Sequence, residues 1–280
     1  MSSLAGLGNR GQTPISGNRC LSPISSHDSA RWREILLYQT YCQLRVESER
    51  LYVGYLWWAI ETLLEMGLLY VLFRGILGSP VEHYLSFLLC GLVSWRWLAQ
   101  SVSRAAPSIL ANQPLATQVF VPKLIFPVAM LLADAVKFSV GLVMLLVFLR
   151  LDGLAPLSSL ASLPFVLGVQ FVFIAAIALW TAALVPFLRS ILVGLDVALR
   201  FGMFVSGVFF EISRVGEPLR SWLAINPMAV LLDAWRSTLM LGQSPDYGSL
   251  ALIALGSLLA IFAVERFVAR RELLYPRLPA

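Results

Sequence analysis

The strongest constraint on this chain is a series of long apolar runs that carry almost no charge. From Leu124 to Leu149 only Asp134 and Lys137 are charged, and the run from Leu163 to Phe187 has no charged residue. A hydrocarbon core of roughly 30 Å is crossed by about 20 helical residues, because each residue adds 1.5 Å. These runs predict an all-α integral membrane protein.

The composition excludes a soluble binding module. Charged residues make up 13% of the 280 residues and hydrophobic ones 58%, against about 25% and about 45–50% in soluble domains. So few charges cannot cover a water-facing surface, and lipid must be the outer solvent. The net charge of +5 does not indicate nucleic acid as a partner. The positions of the basic residues relative to the predicted spans explain the charge instead.

Six transmembrane helices are predicted, with an N-terminal interfacial amphipathic helix and short re-entrant helices before the last span. Residues 1–30 are expected to be a disordered cytoplasmic tail, because they are rich in Gly, Ser, Pro and Asn. Residues 31–50 predict a helix in the plane of the membrane interface, with an ordinary soluble amphipathic helix as the alternative. A transmembrane domain of residues 51–270 and a cytoplasmic tail of residues 271–280 follow. The spans are placed at 52–73, 84–102, 124–149, 163–187, 191–210 and 250–268.

The segment between the fifth and sixth spans predicts one short helix. Asn226 is placed as its cap, Pro227 at its first position and Gly242 at its end. This helix is expected to re-enter the membrane or to lie on it, since irregular backbone at that depth needs protein or a cavity beside it.

The basic residues predict the orientation. With the N-terminus inside, thirteen of the 21 Lys and Arg residues fall on the cytoplasmic side and five outside, and cytoplasmic loops carry the excess of Lys and Arg. An even number of spans returns the C-terminus to the same side. We therefore expect a multi-pass protein of the cytoplasmic (inner) membrane with both termini in the cytoplasm.

Two pairs of opposite charges fall inside predicted spans, where each charge needs a partner or a wet surface. Asp134 and Lys137 are spaced i, i+3, and Asp196 and Arg200 are spaced i, i+4. Each spacing can supply its own partner. We interpret both pairs as structural braces, with the lining of a polar pathway as the alternative.

Glu61 and Glu65 lie one helical turn apart on the first span. Because they share a sign, they cannot brace each other. They are expected to form ion pairs with Arg96, Lys137 or Arg200 across the bundle, or to face water.

Aromatic residues cluster toward the ends of the predicted spans. An interfacial belt explains most of them, but some of them could line a conduit for sugar, since an aromatic ring stacks on a pyranose face. With the two glutamates, the candidate pathway residues are Trp57, Trp58, Glu61, Glu65, Phe209, Phe210 and Trp222.

No sequence pattern indicates catalysis or metal binding. The predicted spans contain no histidine, Cys20, Cys42 and Cys90 lie far apart, and no Walker sequence is present. An enzyme and a bound cofactor are therefore not expected, although a membrane-embedded transferase remains an alternative.

Several motifs occur in an order that resembles a known family. Over about Trp32 to Tyr275, the chain resembles the permease subunits of type-2 ABC exporters, in the branch that exports O-antigen, capsular polysaccharide and teichoic acid. The segments that carry the resemblance are 56–61, 91–95, 112–115, 119–127, 226–228 and 233–236.

The resemblance implies a homodimer of six-span subunits, joined to two copies of a separate ABC ATPase that would bind ATP and Mg. The substrate would be a lipid-linked glycan. A type-2 exporter of drugs or lipids and a multispan glycan or lipid transferase stay open as other functions. By position, the segment 112–123 resembles the cytoplasmic coupling helix that docks on the ATPase. Its candidate residues are Asn112, Gln113, Pro114, Leu115, Ala116 and Thr117.

Overall fold

Every element in the described part of the chain is helical. The computed structural model describes residues 26–49, 56–71, 83–112, 122–154, 160–211, 216–217, 223 and 225–271. The helices are α1 (Ser26–Glu49), α2 (Leu56–Tyr70), α3 (Tyr84–Ala105), α4 (Ser108–Ala111), α5 (Ile125–Leu151), α6 (Leu163–Leu184), α7 (Ser190–Val205), α8 (Pro227–Arg236) and α9 (Tyr247–Arg270). A 3₁₀ turn (Leu160–Ser162) precedes α6, and a π-helical turn (Ser237–Leu241) follows α8.

The chain divides into two units, residues 1–35 and 36–280. The described part of the first unit is the beginning of α1, and most of the predicted N-terminal tail lies outside the described residues. The second unit contains the rest of α1 and all the other helices.

In the described part of the chain, four helical segments are long and apolar enough to cross a bilayer. They are Tyr84–Ala111, which joins α3 and α4, and Ile125–Leu151, Leu163–Leu184 and Tyr247–Arg270. They correspond to the second, third, fourth and sixth predicted spans. The described part of α2 has 15 residues and α7 has 16, fewer than the about 20 that a full crossing takes. An all-helical membrane protein is therefore confirmed, while six spans and re-entrant helices remain predictions.

The core forms where α3 packs against α5, α6 and α8, and where α9 packs along α6. The side chains of Leu88, Leu131, Ile174 and Trp235 are almost completely inaccessible there. A hydrogen bond of 2.9 Å from Trp180 Nε1 to the carbonyl oxygen of Ala260 joins α6 to α9. The polar tip of Trp180 is thus satisfied by a neighbouring helix in this apolar interior.

The ends of α8 and its turn follow from local sequence. The side chain of Asn226 accepts a hydrogen bond of 3.0 Å from the backbone N–H of Met228, and Pro227 occupies the first helical position. At the other end Gly242 takes a φ of +68°, which glycine adopts at little cost. The predicted short helix with this cap and this end is confirmed.

Candidate translocation and coupling site

One face of α2 carries polar residues into the helix bundle. Trp58, Glu61, Thr62 and Glu65 follow at helical spacing and line a pocket together with side chains of α3 and α5. The guanidinium of Arg96 on α3 forms ion pairs with both Glu61 and Glu65. Among the partners that the sequence offered, Arg96 is the one that the structure places beside the two glutamates.

The pocket is small. Its volume is about 60 Å³, and Gln100, Lys137 and Phe138 contribute to its lining. One water molecule needs roughly 10–15 Å³ in this measure, so the pocket has room for a few waters. A sugar chain does not fit inside it.

A closed ring of alternating charges lies next to this pocket. Arg104 Nη1 is 3.0 Å from Glu47 Oε1 and 2.5 Å from Asp134 Oδ1, while Lys137 Nζ is 2.9 Å from Glu47 Oε2 and 2.6 Å from Asp134 Oδ1. Asp134 and Lys137 are both buried. The two acids and two bases neutralise one another. A buried charge requires such a partner of opposite sign. This charge ring joins α1, α3 and α5.

A second polar network is fully buried between α3, α6 and α8. Gln170 Oε1 accepts hydrogen bonds from Trp235 Nε1 at 2.5 Å and from Ser94 Oγ at 3.2 Å. The Nε2 of Gln170 donates to the carbonyl oxygen of Ser94 at 3.0 Å. The network fixes α8 to two spanning helices, because each buried polar atom in it finds a partner there.

Arg236 ties the end of α8 to the end of α7. Its Nη2 donates hydrogen bonds of 2.9 Å to the carbonyl oxygens of Gly207 and Val208. The guanidinium also lies 3.5 Å from the ring centroid of Phe87, in the geometry of a cation–π contact. The structure buries this arginine.

The two flanks of the candidate coupling segment lie next to α3 and α5. Asn112 follows α4, where its Nδ2 donates a 2.8 Å hydrogen bond to the carbonyl oxygen of Ser108. Pro122 lies three residues before Ile125, where α5 begins, and its carbonyl oxygen accepts a hydrogen bond from the N–H of Ile125. The other five candidate residues, 113 to 117, lie outside the described residues.

Three other candidates, Phe209, Phe210 and Trp57, are not among the residues that line the α2 pocket. Phe209 stacks on Phe204 with ring centroids 5.2 Å apart, and its carbonyl oxygen accepts a hydrogen bond from Tyr84 Oη at 3.0 Å. Phe210 and Trp57 are partly exposed, and Trp222 lies outside the described residues.

The predicted pairs Asp134–Lys137 and Asp196–Arg200 differ in the structure. The first pair is buried and belongs to the charge ring. Asp196 and Arg200 are both exposed on α7, and no ion pair joins them in the part of the chain that the structure describes. A spacing of four residues permits such a contact but does not enforce it.

Sequence reasoning missed the roles of Glu47, Arg104 and Gln170. Glu47 and Arg104 lie at helix ends, and no sequence pattern indicated their roles, since their partners come from other helices. Gln170 is the one strongly polar side chain in the middle of α6, and its isolation among apolar residues was a usable signal.

These features define a multi-pass helical membrane protein whose intramembrane polar side chains are joined across helices. Comparison with known proteins shows what the chain is similar to. The chain is 24% identical over 212 residues to an O-antigen export system permease protein RfbA of Klebsiella pneumoniae, covering 75% of this chain and 81% of the relative.

Two further relatives carry the same description. One, also from Klebsiella pneumoniae, is 25% identical over 238 residues, which are 84% of this chain and 91% of the relative. The other, from Myxococcus xanthus, is 25% identical over 245 residues, which are 86% and 94%. No protein-family model matches the chain. The predicted resemblance to permeases of the O-antigen export branch is confirmed by these relatives.

Proposed function

We propose that this chain is the permease subunit of an ATP-driven exporter that moves a lipid-linked polysaccharide of the O-antigen type across the cytoplasmic membrane. The observation that carries the proposal is the similarity to three O-antigen export permeases over 75% to 86% of the chain. Drug export, lipid export and glycan transfer are not favoured by these relatives.

The permease works as a homodimer with two copies of a separate ATPase, which binds ATP and Mg. The described residues contain no group of three or more His, Cys, Asp or Glu side chains that could hold a metal ion. The bias of basic residues supports a cytoplasmic position for both termini and for the coupling segment.

The coupling segment, residues 112–123, receives the movement of the ATPase. It connects the end of α4 to the start of α5, and the charge ring joins α5 to α3 and to the end of α1. Because α2 follows α1 in sequence, a rigid-body push on this segment would also reach α2. This arrangement supports a mechanism in which ATP binding rearranges the spans as a group.

The glycan passes through a channel that opens between two subunits. The pocket beside α2 has a volume of about 60 Å³, too small for a sugar chain. The candidates of α2 that line this pocket, Trp58, Glu61 and Glu65, and the candidates in the segment after α7 would line the channel when it opens.

The decisive experiment deletes the gene in its own host. We expect surface polysaccharide to disappear and lipid-linked glycan to accumulate inside the cell, and the intact gene to reverse both effects. Unchanged surface polysaccharide would overturn the proposal.

A second experiment tests the coupling segment. Affinity-tagged permease should co-purify the ATPase, and changing residues 113–117 to alanine or serine should remove it. The control changes exposed Gln243 and Ser244 in the same way and should retain the ATPase. Nucleotide hydrolysis by the purified permease alone, or a tag near Pro114 that only external reagents reach, would contradict the assignment.

A further inference from the structure

An apolar groove lies between the spanning helices α6 and α9. Its volume is about 480 Å³, against about 60 Å³ for the pocket beside α2. Among the described residues, none that lines the groove is charged, and a Cβ added at Gly256 would meet nothing within 4 Å. The lining includes Phe173, Ile177 and Trp180 of α6 and Ile253, Gly256 and Ala260 of α9.

The hydrogen-bond donors in the lining are already satisfied within the protein. Trp180 Nε1 donates to the carbonyl oxygen of Ala260. The hydroxyls of Thr181 and Ser257 each donate to the carbonyl oxygen four residues earlier, at 3.0 Å and 2.7 Å. An apolar cavity without hydrogen-bonding partners excludes water. A hydrocarbon chain is therefore the occupant that suits the groove.

A row of aromatic rings leads from the groove to an arginine at the end of α9. The ring centroids of Trp180 and Phe267 are 5.6 Å apart, and those of Phe267 and Phe187 are 6.3 Å apart. The guanidinium of Arg271 lies 4.7 Å from the centroid of Phe267 and 5.7 Å from that of Phe187, within reach of a cation–π contact. A positive charge is thus held over one end of the seam that contains the groove.

Two further arginines add to this charge. Arg266 lies 4.8 Å from the ring centroid of Phe262, and Arg270 is in the last turn of α9. Both are exposed, as is Arg271. Residues 265–271 contain these three arginines and one acid, Glu265, which leaves a charge of +2. Within the described residues no carboxylate forms an ion pair with any of the three arginines, so an anion from outside the chain can bind there.

The arginine and the groove are separated by a distance that one lipid chain spans. The guanidinium of Arg271 lies at the level of Phe267, and Phe267 is seven residues from Ala260 at the rim of the groove. Seven residues correspond to about 10 Å along a helix, whereas one half of the hydrocarbon core is about 15 Å deep. A chain that starts beside Arg271 therefore passes Trp180 and enters the groove.

We propose that the seam between α6 and α9 binds one anionic phospholipid, with its phosphate at Arg270 and Arg271 and one acyl chain in the apolar groove. Basic residues at the cytoplasmic side of membrane helices attract anionic headgroups, and long arginine side chains keep their charge at that level. The proposal rests on the proposed function, which puts the C-terminus, and so this end of α9, on the cytoplasmic side.

Native mass spectrometry of the full-length chain in detergent tests the headgroup. The protein is titrated with phosphatidylglycerol and, separately, with phosphatidylcholine of the same acyl chains. We expect one phosphatidylglycerol to bind, roughly fivefold more weakly after Arg270→Gln or Arg271→Gln and roughly 25-fold more weakly after both, because each surface arginine contributes about that factor. Exposed Arg150→Gln at the end of α5 is the control and should bind normally. Equal binding of the two lipids, or an equal loss in the control, overturns the proposal.

Filling the groove tests the acyl chain. Gly256→Leu places a side chain in the groove, whereas Gly168→Leu on α6 does not, and a Cβ at either glycine meets nothing within 4 Å. Each buried methylene contributes about fourfold to lipid binding, so the loss of two or three should weaken phosphatidylglycerol binding by more than about tenfold. Gly168→Leu should bind as the unmodified chain does. Equal affinity of the two variants overturns the groove as the acyl site.

Photocrosslinking tests the site without any substitution. Phosphatidylglycerol with a photoreactive group at the end of one acyl chain should label residues 173–181 and 253–260 in membranes. A groove covered by a second copy or by another protein would give protein adducts and no lipid adduct there. A groove that holds the lipid-linked glycan would retain the mass of that lipid after purification. Either result overturns the phospholipid site.

Lipid binding and export are measured separately. If the purified chain binds no phosphatidylglycerol but deletion of its gene abolishes surface polysaccharide, the lipid site is removed and the proposed function stays. If the chain binds the lipid as expected but deletion leaves surface polysaccharide unchanged, the proposed function fails and the lipid site stays.

Discussion

Trp235 Nε1 donates a hydrogen bond of 2.5 Å to Gln170 Oε1, and both side chains are completely buried. The bond connects the short helix α8 to the middle of a spanning helix. Because Ser94 also bonds to Gln170, one amide holds three helices in register.

Gln170→Leu should lower the apparent Tm of the detergent-purified protein by several degrees. The substitution leaves the indole N–H and the Ser94 hydroxyl without their partner, and each orphaned buried group costs about 1–3 kcal/mol. Exposed Gln243→Leu is the control and should leave the Tm unchanged. Equal Tm values for the two variants would show that the network does not stabilise the bundle.

Asp134→Asn should destabilise the protein more than Asp134→Asn combined with Lys137→Gln. The single change leaves Arg104 and Lys137 with one carboxylate between them, and breaking a buried ion pair costs about 3–5 kcal/mol. The double change removes one acid and one base and keeps the 3.0 Å contact between Glu47 and Arg104. A thermal-shift double-mutant cycle measures the coupling, which we expect at about 0.5–3 kcal/mol; additive losses would contradict the charge ring.

Trp58→Ala should reduce surface polysaccharide, whereas Trp57→Ala should leave it nearly unchanged. Trp58 lines the pocket beside Glu61 and Glu65, while Trp57 is 38% exposed on another side of α2. The measurement is surface polysaccharide per cell at matched permease levels. Glu61→Gln provides the companion test of the pocket, and unchanged export with Trp58, Trp57 and Glu61 all replaced would remove α2 from the pathway.

Gly91→Ala and Gly168→Ala should have opposite effects on stability. A Cβ at Gly91 would be 3.0 Å from Arg236 Nη2 and 3.1 Å from the backbone oxygen of Val208, whereas a Cβ at Gly168 meets nothing within 4 Å. Overpacking costs about 1–3 kcal/mol, while alanine in an open helical position gains roughly 0.5–1 kcal/mol. Apparent Tm values should therefore fall for the first variant and rise for the second, and a rise in both would show that α3 can move away from α7 and α8.

The sequence alone determined that lipid surrounds the protein and where several of its helices lie. Long apolar runs placed the second, third, fourth and sixth spans within a few residues of α3, α5, α6 and α9, because a hydrocarbon core requires helices of a given length. The short helix after Asn226 was equally predictable, since its cap, its proline and its final glycine act through local backbone geometry.

Only the tertiary structure decided which charges meet. The spacing of Asp134 and Lys137 suggested a pair within one helix, and this pair forms at 2.6 Å. The sequence did not show that Glu47 of α1 and Arg104 of α3 join it. Asp196 and Arg200 had an equally good spacing and remain exposed. The physical reason is that periodicity fixes the face of a helix on which a residue lies, whereas the rotation and depth of the neighbouring helices decide what that face touches.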